Sequence, residues 1–166
     1  YATYDFDLIL DQGAYFELKR HRMMTQTSQK LTTRLGYAIP KAITEASCEQ
    51  PYRQAMDLAA EAYEELAAWN PAVAAYVVPN AFNRRVLCRL NLRELFHFAR
   101  LRSSPNAHFS IRRVARAMAE QVQPVHPHFL AKMGLSADET AQSITAEYFT
   151  DVATRPELMN LRSSSE

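Results

Sequence analysis

Asn91-Leu92-Arg93-Glu94-Leu95-Phe96-His97-Phe98-Ala99-Arg100-Leu101-Arg102, followed by Ser103-Ser104-Pro105-Asn106-Ala107-His108-Phe109-Ser110-Ile111-Arg112, is the stretch on which the reading of this chain turns. Asn91 has the side chain of a helix N-cap, and the spacing behind it predicts a helix over 92–101. Arg93 and His97 stand at i and i+4 on that helix, so they share a face and can touch one flat ligand together. The plainer reading of His97 is a helix-surface histidine. The Ser-Ser-Pro-Asn run predicts a tight turn into a second helix over about 107–122, whose first turn could meet an anion. Its plainer reading is an ordinary cap at Asn106.

Upstream, 84–90 alternates Arg85, Leu87 and Arg89 against Val86, Cys88 and Leu90, which predicts a strand entering the helix. Farther back, 51–69 carries Ala55, Met56, Leu58, Ala59, Ala62, Tyr63 and Leu66 at helical spacing, with Glu61, Glu64 and Glu65 outward. Asn70 and Pro71 suit an N-cap and first position of a short helix that ends before Pro79. At the start, 1–10 alternates as a strand with one buried face, through Tyr4, Phe6, Leu8 and Leu10. Asp11 then caps a short helix whose end delivers Arg20-His21-Arg22. Residues 25–33, rich in Thr, Gln and Ser, have no hydrophobic period and are expected to form a ligand-wrapping loop. After Ala141 the sparse pattern predicts a short helix or two and then frayed chain, with 1–140 as the core and 141–166 as a tail. The mixed order, without regular β-α-β alternation, indicates α+β: a small antiparallel sheet flanked by helices. With 3 Gly in the chain there is no Gly-rich phosphate loop.

At 166 residues and 48% hydrophobic content the chain suffices for one domain with a core of its own. The net charge of +1 is uninformative, but nine arginines between Arg84 and Arg116 face a single acid, Glu94, in that span. Such a segment is suited to anions. Two guanidiniums flanking His21 can grip phosphate or carboxylate oxygens, although a solvated basic helix end explains them as well. No RNA-recognition motif accompanies the arginines, which argues against nucleic acid. Cys48 and Cys88 lack redox or zinc spacing and are expected to be reduced thiols of a cytoplasmic protein. No apolar run is long enough to span a bilayer. The chain opens on strand-like sequence without a starting Met, as a fragment of something longer would.

Taken together, the early strand, the Arg20-His21-Arg22 that follows its helix, and the Asn91-to-Arg112 block resemble the flavin-dependent thymidylate synthase family over about residues 4–130. The resemblance implies an α/β homotetramer that holds FAD at subunit interfaces and converts dUMP to dTMP with methylenetetrahydrofolate and NADPH. By that likeness Arg20, His21, Arg22, Asn91, Arg93 and His97 would hold the flavin. Arg102 and Arg34 would bind the nucleotide.

The departures are equally specific. Where the family places Ser eight residues after its Arg-His-Arg, this chain has Lys30, with Ser28 two places early. No carboxylate lies in 23–30, and Arg34 is two residues late. The family's Arg before Val-Leu-Pro is replaced by Ala75 in Ala74-Ala75-Tyr76-Val77-Val78-Pro79, and its N-terminal part with paired histidines has no counterpart in these residues. Losing a charged phosphate contact costs more than the ~1 kcal/mol of a neutral hydrogen bond. The resemblance therefore also accommodates a catalytically degenerate unit, or the divergent half of a tandem protein. Met23, Met24, Phe96, Phe98 and Phe109 are read as core residues and not as flavin-stacking groups.

Overall fold

The computed structural model describes residues 2–136 and 138–156. Tyr1 and the 157–166 end of the expected tail lie outside the described residues. Strand β1 (Thr3–Asp11) leads into α1 (Gln12–Leu18), β2 (Thr25–Ser28), β3 (Tyr37–Pro40) and α2 (Lys41–Glu45). There follow α3 (Glu49–Trp69), α4 (Pro71–Ala74) with a 3-10 turn at Ala75–Val77, and β4 (Asn83–Asn91). Helices α5 (Leu92–Arg102), α6 (Phe109–Val122), α7 (Phe129–Met133) and α8 (Ala141–Tyr148) precede β5 (Phe149–Thr154). The architecture is α+β, with small antiparallel sheets flanked by helices.

Strands β1, β4 and β2 form an antiparallel sheet in the order β1-β4-β2. Alternation explains its two faces. Leu10, Val86, Cys88 and Leu90 turn inward and are buried with Leu95, Phe98, Ile111 and Met118 of α5 and α6. Asp5, Asp7, Arg85 and Arg89 turn outward, where Arg89 pairs with Asp5 at 2.6 Å and Arg85 pairs with Asp7. Caps set the turns between layers: Asp11 accepts from Ala14 N at 2.8 Å, and Asn91 accepts from Glu94 N at 2.9 Å. Both N-caps are as the sequence indicates.

A second core joins β3 to α3 through Tyr37, Ile39, Met56, Tyr63 and Phe82. Helix α3 turns most of the expected stripe inward, with Met56 and Tyr63 buried and Ala59 and Leu66 packed against the same core, but Ala60 joins them while Ala55 is exposed and Leu58 is 66% exposed. Its apolar residues spread over more than half the helix, so periodicity alone could not set the edges of the stripe. Met23 is likewise exposed and not core, while its neighbour Met24 is buried.

Two expectations fail for a common reason. Residues 25–28 form strand β2, not loop, because the open edge of β4 supplies backbone partners from Val86 to Arg89. Thr25 and Thr27 point to solvent, so no hydrophobic alternation is needed. In the same way, residues 149–154 form a strand against β3 where frayed chain was expected. Ile144 of α8 is fully buried, and Thr140 and Ser143 form a reciprocal capping box.

Gly36 shows how closely β5 is held. It has φ +73°, and a Cβ there would sit 2.6 Å from the carbonyl oxygens of Ala153 and Thr154. Asn83 reinforces the junction, donating from Nδ2 to Leu35 O at 3.2 Å and Val152 O at 2.9 Å. Gly36→Ala is expected to cost about 2–4 kcal/mol, combining left-handed strain with backbone overpacking. Chemical denaturation checks this; an unchanged midpoint would contradict the close approach. Among the described residues no helix is long and apolar enough to cross a membrane.

Candidate functional site

His21 is the hub of the site. The end of α1 and the middle of α5 meet there because Leu18, Leu95 and Phe98 share the first core, which draws the chain after α1 against α5. His21 Nδ1 lies 3.2 Å from Glu94 Oε1, and its Nε2 accepts from Arg102 Nε at 3.1 Å. That pair of contacts fits a neutral imidazole protonated at Nδ1. Arg102 continues the chain of contacts to the Glu17 carboxylate, and Arg20 closes on Glu17 at 3.2 Å. Phe98 packs edge-on against the imidazole at 4.9 Å, and the His97 ring lies 5.7 Å away. Gln26 of β2 donates to the carbonyls of Leu18 and His21, each at 3.1 Å, holding the turn closed.

The residues singled out from sequence therefore divide. Arg20, His21, His97 and Arg102 are brought together around His21. Arg22 follows the hub directly and is exposed; Arg93 is exposed on α5, one turn before His97. Neither Arg22 nor Arg93 has a hydrogen bond or ion pair among the described residues, so both guanidiniums are available to a ligand. The side chain of Asn91 is used as the α5 cap. Arg34 meets α3 instead, with Nε 3.5 Å from Glu64 Oε1. Glu94 and Glu17, which fix His21 and Arg102, were not singled out, because acids on helices look like ordinary solvated charges. Glu94 could have been suspected as the sole acid in the arginine-rich segment. The α6 start is capped by His108, whose Nδ1 accepts from Ser110 N at 3.3 Å, and not by Asn106.

Burial first, and the Arg102 guanidinium next, hold His21 below the ordinary imidazole range, against the pull of Glu94; His97 adds a smaller push in the same direction. The folded state thus binds this proton less readily than the unfolded chain, whose histidine titrates near about 6.5. Its contribution to stability is complete above about pH 6.5 and is lost as pH falls from there toward the depressed value. His21→Gln is accordingly expected to flatten the stability profile between about pH 7.5 and pH 5.5 relative to the unaltered chain. Denaturation midpoints at both pH values decide it; parallel slopes would mean that His21 is not held neutral.

The profile of the family described as thymidylate synthase complementing protein matches residues 1–128. The chain belongs to that family. It is 45% identical over 128 residues to a UPF0159 protein of Chlamydia muridarum, covering 77% of this chain and 24% of that one. Over 144 residues it is 32% identical to the flavin-dependent thymidylate synthase of Sulfurisphaera tokodaii, covering 81% and 55% respectively. The chain thus spans about a quarter of the UPF0159 relative and about half of the synthase. A solved flavin-dependent thymidylate synthase from Helicobacter pylori, complexed with FAD and dUMP, superimposes with a TM-score of 0.62 at 21% identity. That match covers 81% of this chain and 73% of the other, and it shows the shared fold. Within the family match lie both motif blocks, Arg20-His21-Arg22 and Asn91 to Arg112.

Proposed function

We propose that this chain is the cofactor-handling core of a flavin-dependent thymidylate synthase, with FAD held by Arg20, Arg22, Arg93 and His97 around the His21 hub. The observation that carries this reading is the meeting of the two motif blocks at one buried imidazole, with guanidiniums left exposed beside it. The donor set suits the group: cationic forks for a diphosphate, and rings and amides for a planar heterocycle. Gln26 Oε1, buried beside the hub without a partner among the described residues, leaves an acceptor for a further donor. When bound, the reduced flavin supplies the hydride for reductive methylation of dUMP to dTMP, with methylenetetrahydrofolate as carbon donor and NADPH as reductant. The protein's part is to bind and orient. His21, Asn91 and Glu94 position the surrounding groups, and Arg102 and Arg34 are the nucleotide-binding candidates. The assembly is a homo-oligomer, a tetramer by family likeness, or a pairing with a second family unit, acting in the cytoplasm without nucleic acid or membrane.

Specific observations favour a second reading, a family unit that binds but does not turn over. Arg102 is already occupied by Glu17 and His21. Lys30 is exposed where the resemblance expects Ser, and Ala75, in the 3-10 turn, offers no cation for phosphate. A flavin absorbance spectrum of the purified chain, followed by NADPH oxidation with and without dUMP, separates the two. Bound flavin with dUMP-dependent oxidation is the expected result. Bound flavin indifferent to dUMP would leave the binding unit, and a protein that takes up no added FAD would overturn both.

A further inference from the structure

Glu17 fills the place beside the His21 hub that an anionic ligand would take. It lies in the last turn of α1, where the helix macrodipole disfavours a carboxylate, so local helix stability does not explain it. Its two carboxylate oxygens serve two cations: Oε2 pairs with Arg102 Nη1, and Oε1 stands 3.2 Å from Arg20 Nη2. The Glu17 carbonyl oxygen accepts from Arg102 Nη2 at 3.5 Å, and Arg102 Nε donates to His21 at 3.1 Å. All three nitrogens of Arg102 thus have partners within the chain. A carboxylate held between two guanidiniums is the arrangement that a phosphate would adopt in its stead. The contact is also open to solvent: the side chain of Glu17 is 26% exposed, that of Arg102 16% and that of Arg20 66%. Among the described residues the Glu17 carboxylate has no partner besides these arginines, so a change of side-chain rotamer is enough to withdraw it.

We propose that Glu17 is a displaceable latch on Arg102, which lowers the affinity of this site for phosphate-bearing ligands by holding the guanidinium until a stronger anion takes it. A carboxylate tethered beside its partner competes at an effective concentration of roughly millimolar or above. Apparent affinity for an external anion then falls in proportion to the fraction of molecules whose Arg102 is free, and a free fraction of about one in ten weakens binding about tenfold. Charge selects the ligand that can open the latch. The single negative charge of Glu17 is divided between Arg102 and Arg20, whereas a phosphate monoester brings nearly two charges and three acceptor oxygens. An uncharged nucleoside offers Arg102 nothing in exchange. An ion pair that merely tied α1 to α5 would respond in the opposite way to loss of the carboxylate, with lower stability and no gain in binding. This inference rests on the reading of Arg102 as a nucleotide ligand, but not on FAD or on turnover.

Calorimetric titration of the purified chain with dUMP, with inorganic phosphate and with deoxyuridine tests the latch. Glu17→Gln keeps the shape of the side chain and removes its charge. It is expected to bind dUMP and phosphate at least about tenfold more tightly than the unaltered chain, and deoxyuridine no better. Glu17→Ala, which leaves neither guanidinium a side-chain partner at this position, should gain as much. Adding Arg102→Gln to Glu17→Gln is expected to erase the gain, with circular dichroism the same for every form. Phosphate binding that is equal or weaker in both Glu17 variants, or a gain that persists without Arg102, would overturn the proposal. A gain for phosphate with none for dUMP would uphold the latch and overturn the nucleotide reading of the site.

Discussion

Phe98→Ala is expected to destabilise the chain by about 3–5 kcal/mol, a large part of the ~5–15 kcal/mol that holds a domain of this kind together. Phe98 is fully buried on the inner face of α5, within the same cluster as Leu18, Val86, Leu95 and Ile111. Neighbours from a strand and two helices fix the walls of the space it fills, so a cavity left by truncation can close only in part. The edge-on contact with His21 adds a consequence at the site. Without that wall the imidazole can rotate away from Glu94 and Arg102 and gain water, which raises its proton affinity toward the ordinary value. Urea denaturation should therefore show a lower midpoint and a weaker dependence on pH near neutrality. Phe98→Leu, which retains most of the volume, should lose well under half as much. A Phe98→Ala loss below about 1 kcal/mol would mean that the two layers are not packed as described.

Arg93→Glu is expected to lower FAD affinity by at least tenfold, with the fold intact. Arg93 is exposed and holds no partner among the described residues, so its replacement removes no internal contact and stability should change by less than about 0.5 kcal/mol. The effect on an anionic ligand is larger: a charge-assisted hydrogen bond contributes about 1.5–3 kcal/mol, or roughly 10- to 100-fold, and the new carboxylate adds repulsion. Arg93→Lys retains charge but not the planar fork and should fall between the two. Titration of the purified chain with FAD, followed by flavin fluorescence, measures this. Equal affinity for all three forms would move the cofactor away from this face of α5 and leave the exposed arginines as surface charge.

The elements that carried their own signal were legible before the structure. Strand β1 shows a period of two broken only at Ile9, and Asp11 and Asn91 have the side chains that close helix N-termini, so strand-to-helix junctions could be placed to within one residue. The Arg20-His21-Arg22 and Arg93-His97 blocks were recognisable because their spacing is local. Strands β2 and β5 were not, since a polar or irregular segment becomes a strand only when another strand offers it a free edge. That offer comes from β4 and β3, distant in sequence. The edges of the inward stripe of α3 were misplaced for a related reason: neighbouring alanines and leucines are equally apolar, and only packing against β3 decides that Ala60 is buried with Met56 and Tyr63 while Ala55 and Leu58 are exposed.

At the site the same division holds. Sequence by itself determined which cationic side chains exist and which share a helix face, because i and i+4 spacing is set by helix geometry. Tertiary structure decided what each of them is free to do. It buried His21 between Glu94 and Arg102, engaged Arg102 with Glu17, sent Arg34 to Glu64 and left Arg22 and Arg93 open. The His21 and Arg102 outcomes depend on contacts between the α1 region and α5 across more than seventy residues, where small differences in distance and exposure determine whether a charge is spent inside the protein or presented to a ligand.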